Sequence, residues 1–333
     1  MTTTDQPSRM MMGRDAINNA LDLAMTNDPK VFMLGEDIAD PGGGVYGVTR
    51  GLSAKHGLHR VRPTPISEQA IVGAAIGAAI AGYRPVAEIM IMDFFAVCMD
   101  QVSNHAAKLR YMSGGATTVP LTIRCSAGGG NSLGAQHSEM LEAWLTHIPG
   151  LKVAIASNPK DAKGLLSTCI YDDDPCIFIE QLMGYFSACD VPEGDYRVPL
   201  GKADIKREGS DVTVISYGRQ VGEALSAAEK LAEGGISVEV LDLRWLQPLD
   251  EAAILESVAK TKRAVIYHEA VTRGGLGAEI SSIITESLFA TLDAAVVRVG
   301  AKNTPIPYAR SLEQDCLPTT ADLQHAVEML VKS

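Results

Sequence analysis

The chain has 333 residues, 46% hydrophobic and 21% charged, which excludes disordered, collagen-like and disulfide-stapled classes and leaves room for about two domains. Asp and Glu number 40 against 29 Lys and Arg, so the formal charge of −11 lacks the basic footprint that phosphate-backbone binding needs. Aromatic residues, at 5%, give bases little to stack on, so nucleic acid is excluded as a partner.

Ile17, Leu21, Ala24 and Met25 recur at helical spacing and predict a helix over 14–27. The apolar run 31–34, stopped by Gly35, reads as a strand, and 40–47, with Pro41 and four glycines, as a loop. Ser67 suits the N-cap of a helix from 68 to about 81. A strand over 85–91, a long helix over 94–111 and a strand over 119–124 follow. The stretch 125–136 carries Gly128, Gly129, Gly130 and Gly134 and reads as a loop. Next come a strand over 152–156, a helix over 159–171 with proline in its first turn, and a strand over 176–180.

Residues 190–211, with Pro192, Pro199, Gly194, Gly201 and Gly209, have the composition of a linker. Beyond it, strands over 212–216, 238–243, 264–267 and 295–299 alternate with helices over about 221–231, 249–260, 278–289 and 321–331. This alternation predicts an α/β fold of two parallel-sheet domains, over 1–190 and 211–333, joined by a linker over 191–210. Open sheets of this kind bind ligands at the carboxyl ends of their strands.

Several signatures are missing. There is no P-loop, and Gly274-Gly275-Leu276-Gly277 lacks dinucleotide spacing. His56 and His59 have no third ligand at metal spacing. The six cysteines form no C-x-x-C and sit mostly in apolar runs, which reads as buried thiols of a reducing cytoplasm. The amino terminus is polar, without a secretory h-region. The weakly polar stretch 70–83 falls short of the roughly 20 residues that a membrane span needs. A cytoplasmic protein without a membrane segment is expected.

An ordered set of strings goes further. It includes Val31-Phe32-Met33-Leu34-Gly35-Glu36-Asp37, Thr64-Pro65-Ile66-Ser67-Glu68-Gln69, Arg110-Tyr111-Met112-Ser113-Gly114-Gly115, Ala135-Gln136-His137-Ser138 and His268-Glu269-Ala270. With these strings the chain resembles, over about 11–330, the β subunit of the E1 component of thiamine diphosphate-dependent 2-oxo acid dehydrogenases. That group includes pyruvate, branched-chain and acetoin dehydrogenases. The resemblance implies a transketolase-like pyrimidine-binding domain followed by a transketolase C-terminal-like domain. It also implies an α subunit in an α2β2 heterotetramer. This chain has no Gly-Asp-Gly, so the α subunit is expected to carry the diphosphate site and its Mg2+. A lipoyl-bearing E2 acyltransferase is the implied acceptor, and a 2-oxo acid or acetoin the implied substrate. Two other functions stay open: a thiamine-dependent carboligase without a lipoyl acceptor, and a non-catalytic subunit that docks E2.

The resemblance also implies roles for particular residues. Glu68 hydrogen-bonds N1′ of the aminopyrimidine, a role for a carboxyl that can hold a proton near neutrality. Burial and a helix N-terminus pull such a group in opposite directions. Met90 and Phe94 flank the pyrimidine, a thioether and a flat ring against a heterocycle. Met92 stands where some relatives carry an aromatic, beside the thiazolium. His137 faces the substrate and the lipoyl arm, where an imidazole can pass protons. His268, near a strand end, is expected to have a hydrogen-bonded structural role. Leu121, Cys169, Asp172 and Asp174 match a structural K+ site. The glycine-rich stretches 41–44 and 128–134 resemble phosphate cradles in principle. With the diphosphate expected on α, they read as mobile loops near the site.

Overall fold

The computed structural model describes residues 7–332; the first six, part of the polar terminus read above, and the last lie outside the described residues. Contacts gather the chain into two units. The first runs to Ala127 and resumes over Leu145–Leu200; the second takes Gly128–Trp144 and everything from Gly201.

In the first unit, parallel strands lie in the order Lys152–Ile155, Cys176–Gln181, Thr122–Ala127, Arg84–Ile91, Val31–Glu36 and Val61–Thr64. Thr122–Ala127 and Cys176–Gln181 are buried along their whole length, as strands covered on both faces must be. Helix Gly13–Asn27 buries Ile17, Leu21, Ala24 and Met25, the stripe its spacing predicts, and packs on helix Pro159–Tyr171. The latter starts where Asn158 Oδ1 accepts the Asp161 N–H at 2.9 Å.

Three features depart from the periodicity reading. The strand expected over 119–124 is Thr122–Ala127, because Pro120 offers no N–H to a ladder. The long helix is interrupted: a turn Met92–Phe94 leads into Phe95–Asp100, then a wide turn Gln101–Ala106, then Leu109–Met112. In the wide turn the Ala107 N–H reaches Val102 O, five residues back. An antiparallel ribbon pairs Ser8–Met12 with Ala188–Pro192.

The second unit's sheet runs Val297–Ala301, Ala264–Val271, Val212–Ser216, Val238–Asp242 and Asp204–Arg207; only the last strand is antiparallel. Val212, Val214, Val240 and Val265 pack against Val221, Ala224 and Ala228 of helix Gln220–Glu233 and Leu323 and Val327 of helix Thr320–Lys332. Each such Val or Leu contributes about 1.5–3 kcal/mol on burial. A seven-residue helix, Arg310–Cys316, carries no periodic stripe long enough to announce it. The six cysteines are free thiols, five of them buried. Among the described residues no helix is long and apolar enough to cross a membrane.

Candidate active site

Glu68, Met90 and Phe94 lie at one edge of the first unit because three neighbouring strands end there. Val61–Thr64 runs through Pro65–Ser67 into helix Glu68–Ile80, so Glu68 sits in its first turn, only 7% exposed. Arg84–Ile91 carries Met90 near its end and passes into the turn holding Phe94; both side chains are half-buried. Ser126 Oγ donates to Met90 O at 2.5 Å, where strand pairing is irregular between Ile89 and Ile91. Met92, expected beside the cofactor, is fully buried and belongs to the core.

The edge carries a second acid that the motif reading passed over. Glu36 closes strand Val31–Glu36, paired in register with Thr64. Burial raises its carboxyl above the usual range, and the charges of Glu68, Asp37 and Glu88 raise it further, against a hydrogen bond from the Ser67 N–H. The signal was present in the Gly35-Glu36-Asp37 string at a strand end.

Deeper in the sheet, Arg124 is bound by both oxygens of Glu180, at 2.6 and 2.9 Å, and by Glu88 at 2.8 Å. Tyr185 donates to Glu180 at 2.6 Å. Beside this cluster a cavity of about 20 Å³, lined by Tyr46, Glu88, Met90, Arg124 and Ser126, has room for one water.

His137 lies in the second unit, half-buried, with its N–H on Gly134 O at 3.2 Å. The glycine-rich loop before it has three of its N–H donors taken up by carboxylates, which argues against a phosphate cradle. The Gly129 N–H donates to Glu269 at 2.6 Å. Those of Gly130 and Ser132 donate to Glu313 at 2.8 and 3.0 Å. No sequence signal marks Glu313. His268 is fully buried, with Nδ1 on Ala270 O at 3.0 Å, and burial lowers it to about 4. His56 is held by Asp22 at 2.8 Å.

Leu121, Cys169, Asp172 and Asp174 come together where helix Pro159–Tyr171 ends. Lys152 Nζ lies 2.5 Å from Asp172 and 3.1 Å from Asp174, and Arg110 lies 2.6 Å from Asp174. Arg84 pairs with Asp173 at 2.6 Å and reaches the Asp172 carbonyl at 2.9 Å. The Leu121 carbonyl accepts from Cys176, and the Cys169 carbonyl from Asp172. Burial works to raise the Asp174 carboxyl, but Arg110 and Lys152 outweigh it and hold it below the usual range. The acids of this corner are matched by the chain's own cations.

Two family models cover most of the chain: the transketolase pyrimidine-binding domain over residues 9–185 and the transketolase C-terminal domain over 201–323. The chain is 48% identical to the β subunit of acetoin:2,6-dichlorophenolindophenol oxidoreductase of Cupriavidus necator, over 95% of this chain and 96% of that one. The Bacillus subtilis protein of the same name is 47% identical, over 94% of each. The mitochondrial pyruvate dehydrogenase E1 component subunit beta-1 of Arabidopsis thaliana is 43% identical, over 96% of this chain and 89% of that one. A solved split-gene transketolase, described as an inactive beta4 tetramer, shares the fold with a TM-score of 0.79 at 23% identity, covering 97% of this chain and 98% of its own. The chain therefore belongs to the family of E1 component β subunits of the acetoin and pyruvate dehydrogenases, built from transketolase pyrimidine-binding and C-terminal domains.

Proposed function

We propose that this chain is the β half of a thiamine diphosphate-dependent oxidoreductase that acts with an α partner on acetoin or a 2-oxo acid and passes the acyl group to a lipoyl arm of E2. The observation that carries the reading is Glu68: a buried acid in the first turn of a helix, at a sheet edge shared with Met90 and Phe94. An acid, a thioether and a flat ring form a donor set that fits an aminopyrimidine. The two acetoin relatives stand at 48% and 47% identity against 43% for the plant pyruvate enzyme, which favours acetoin as substrate.

Thiamine diphosphate, when bound, supplies an electron sink at its thiazolium ring. Glu68 would hold the aminopyrimidine by a hydrogen bond from its carboxyl group. Met90 and Phe94 offer it apolar surface, with the Met90 backbone fixed by Ser126. His137 carries protons on the substrate and acceptor side. The α subunit supplies the diphosphate and Mg2+ contacts, in keeping with the missing Gly-Asp-Gly here. No step uses an ion at the Asp172–174 corner.

The test assays the chain alone and with its α partner on acetoin, pyruvate and branched-chain 2-oxo acids, with and without lipoylated E2. Activity is expected only with the α partner, fastest on acetoin, with acyl product on E2. Turnover by the isolated chain would contradict the reading. A carbon–carbon bonded product formed equally well without E2 would replace it by the carboligase, and E2 binding by a complex that takes up no thiamine would replace it by the docking subunit.

A further inference from the structure

The segment Gly128–Trp144 is rich in glycine, and glycine loses the most backbone freedom on ordering, yet the segment is held at several points. Upstream of His137, Glu269 from the end of strand Ala264–Val271 accepts the Gly129 N–H, and is itself held by Arg219 at 2.6 Å and Gln220 at 3.0 Å. Glu313, from helix Arg310–Cys316 and almost fully buried, accepts the N–H groups of Gly130 and Ser132. Downstream, Tyr217 donates its hydroxyl to Glu142 at 2.6 Å, and both are buried. Tyr217 is kept in place by stacking on His268, ring centroids 5.9 Å apart and planes within 15°. Ser132 and Glu142 stand five residues before and five after His137.

Two glycines make the close docking possible. A Cβ on Gly128, at φ 94°, would meet Glu269 Oε1 at 2.7 Å, and one on Gly134, at φ 80°, would run into the Tyr308 ring. Burial pushes the Glu142 carboxyl up, more than the Tyr217 hydroxyl pulls it down. Carboxylates from two distant elements thus terminate on the N–H groups of Gly129, Gly130 and Ser132 in a single loop.

We infer that Glu269, Glu313 and Tyr217 are positioning residues that fix the segment on both flanks of His137 and so present its imidazole in one place. This rests on the reading of His137 as the proton-carrying group of the acceptor side. A carboxylate that orders a loop by accepting its backbone donors acts on the geometry of whatever the loop carries, and small misplacements of a reacting group are expensive in rate.

The experiment uses the reconstituted αβ complex with Glu313→Gln, Tyr217→Phe and His137→Ala, singly and combined. Three quantities are read: turnover with the lipoyl acceptor, thiamine diphosphate affinity by calorimetry, and hydrogen exchange of the 128–136 peptides. Glu313→Gln is expected to lower kcat about tenfold to hundredfold, to leave thiamine affinity near wild type, to speed exchange of the loop, and to add no further loss on His137→Ala. Tyr217→Phe, which removes only a hydroxyl, is expected to act in the same direction more weakly, and it carries the test if Glu313→Gln fails to assemble. Full kcat in both variants while His137→Ala is impaired overturns the positioning role and leaves the reading of His137 intact. Full kcat in His137→Ala overturns the reading beneath it. Unchanged exchange of the loop overturns the anchoring itself.

Discussion

The strand-end edge of the first unit and the glycine loop of the second surround their buried acids in opposite ways. In the second, Glu269 and Glu313 are surrounded by donors: backbone N–H groups of the loop, a guanidinium and an amide. Glu180 in the interior of the first unit is similar, between Arg124 and Tyr185. At the strand-end edge of the first unit, Glu36 has the Ser67 N–H but faces the charges of Glu68, Asp37 and Glu88, and its carboxyl is raised. An acid surrounded by donors is an anchor, held in place by the groups it accepts from. An acid surrounded by acids is poised to keep or exchange a proton, which marks a site of chemistry.

The contrast can be broken most forcefully at an anchor. Arg124→Met leaves Glu88 and Glu180 without their counter-charge, and a loss of about 3–5 kcal/mol in denaturant unfolding is expected for a buried pair deprived of one partner. A loss well under about 1 kcal/mol, the range of exposed pairs, would show that this cluster is not an anchor.

His268 sharpens the contrast through pH. Burial holds it neutral, at about 4 against an ordinary 6.5. Between those values the unfolded chain binds more protons, so stability falls as pH drops from 6.5 towards 4, by up to roughly 3 kcal/mol, and is unaffected above 6.5. His268→Asn is expected to flatten the acid limb of the unfolding curve in that window; an unchanged slope would contradict the buried neutral imidazole. The smallest effect is expected at the Asp172–174 corner. Exchanging K+ for a bulky organic cation should leave Tm unchanged, because Lys152, Arg110 and Arg84 already neutralise it. A K+-dependent rise in Tm would reinstate an ion there.

Much of the sheet framework was legible because buried parallel strands are short apolar runs bounded by turn residues. The helix over 159–171 was placed to the residue, since Pro159 fixes its first turn. Glu68 is carried by the string 64–69, while Met90 and Phe94 are implied by the family resemblance alone, and the strand ends explain why the three share an edge. The polar strand Asp204–Arg207 and the ribbon Ser8–Met12 were not, because neither is an apolar run and the ribbon's partner lies far along the chain. Glu313 was invisible for a related reason: its helix is seven residues long, and its partners are mostly backbone N–H groups, those of Gly130 and Ser132, without a side-chain signature. The glycines of 128–134 advertised conformational freedom; only the structure shows that two carboxylates take up their donors.

The central claim is that the Glu68 carboxyl acts on the aminopyrimidine. Its most direct test is the rate of C2 hydrogen–deuterium exchange of thiamine diphosphate in the assembled αβ complex, wild type against Glu68→Gln. The account predicts exchange slowed by about 10²-fold or more with cofactor still bound, the scale of a lost acid–base contact. Exchange at the wild-type rate in the variant would contradict it.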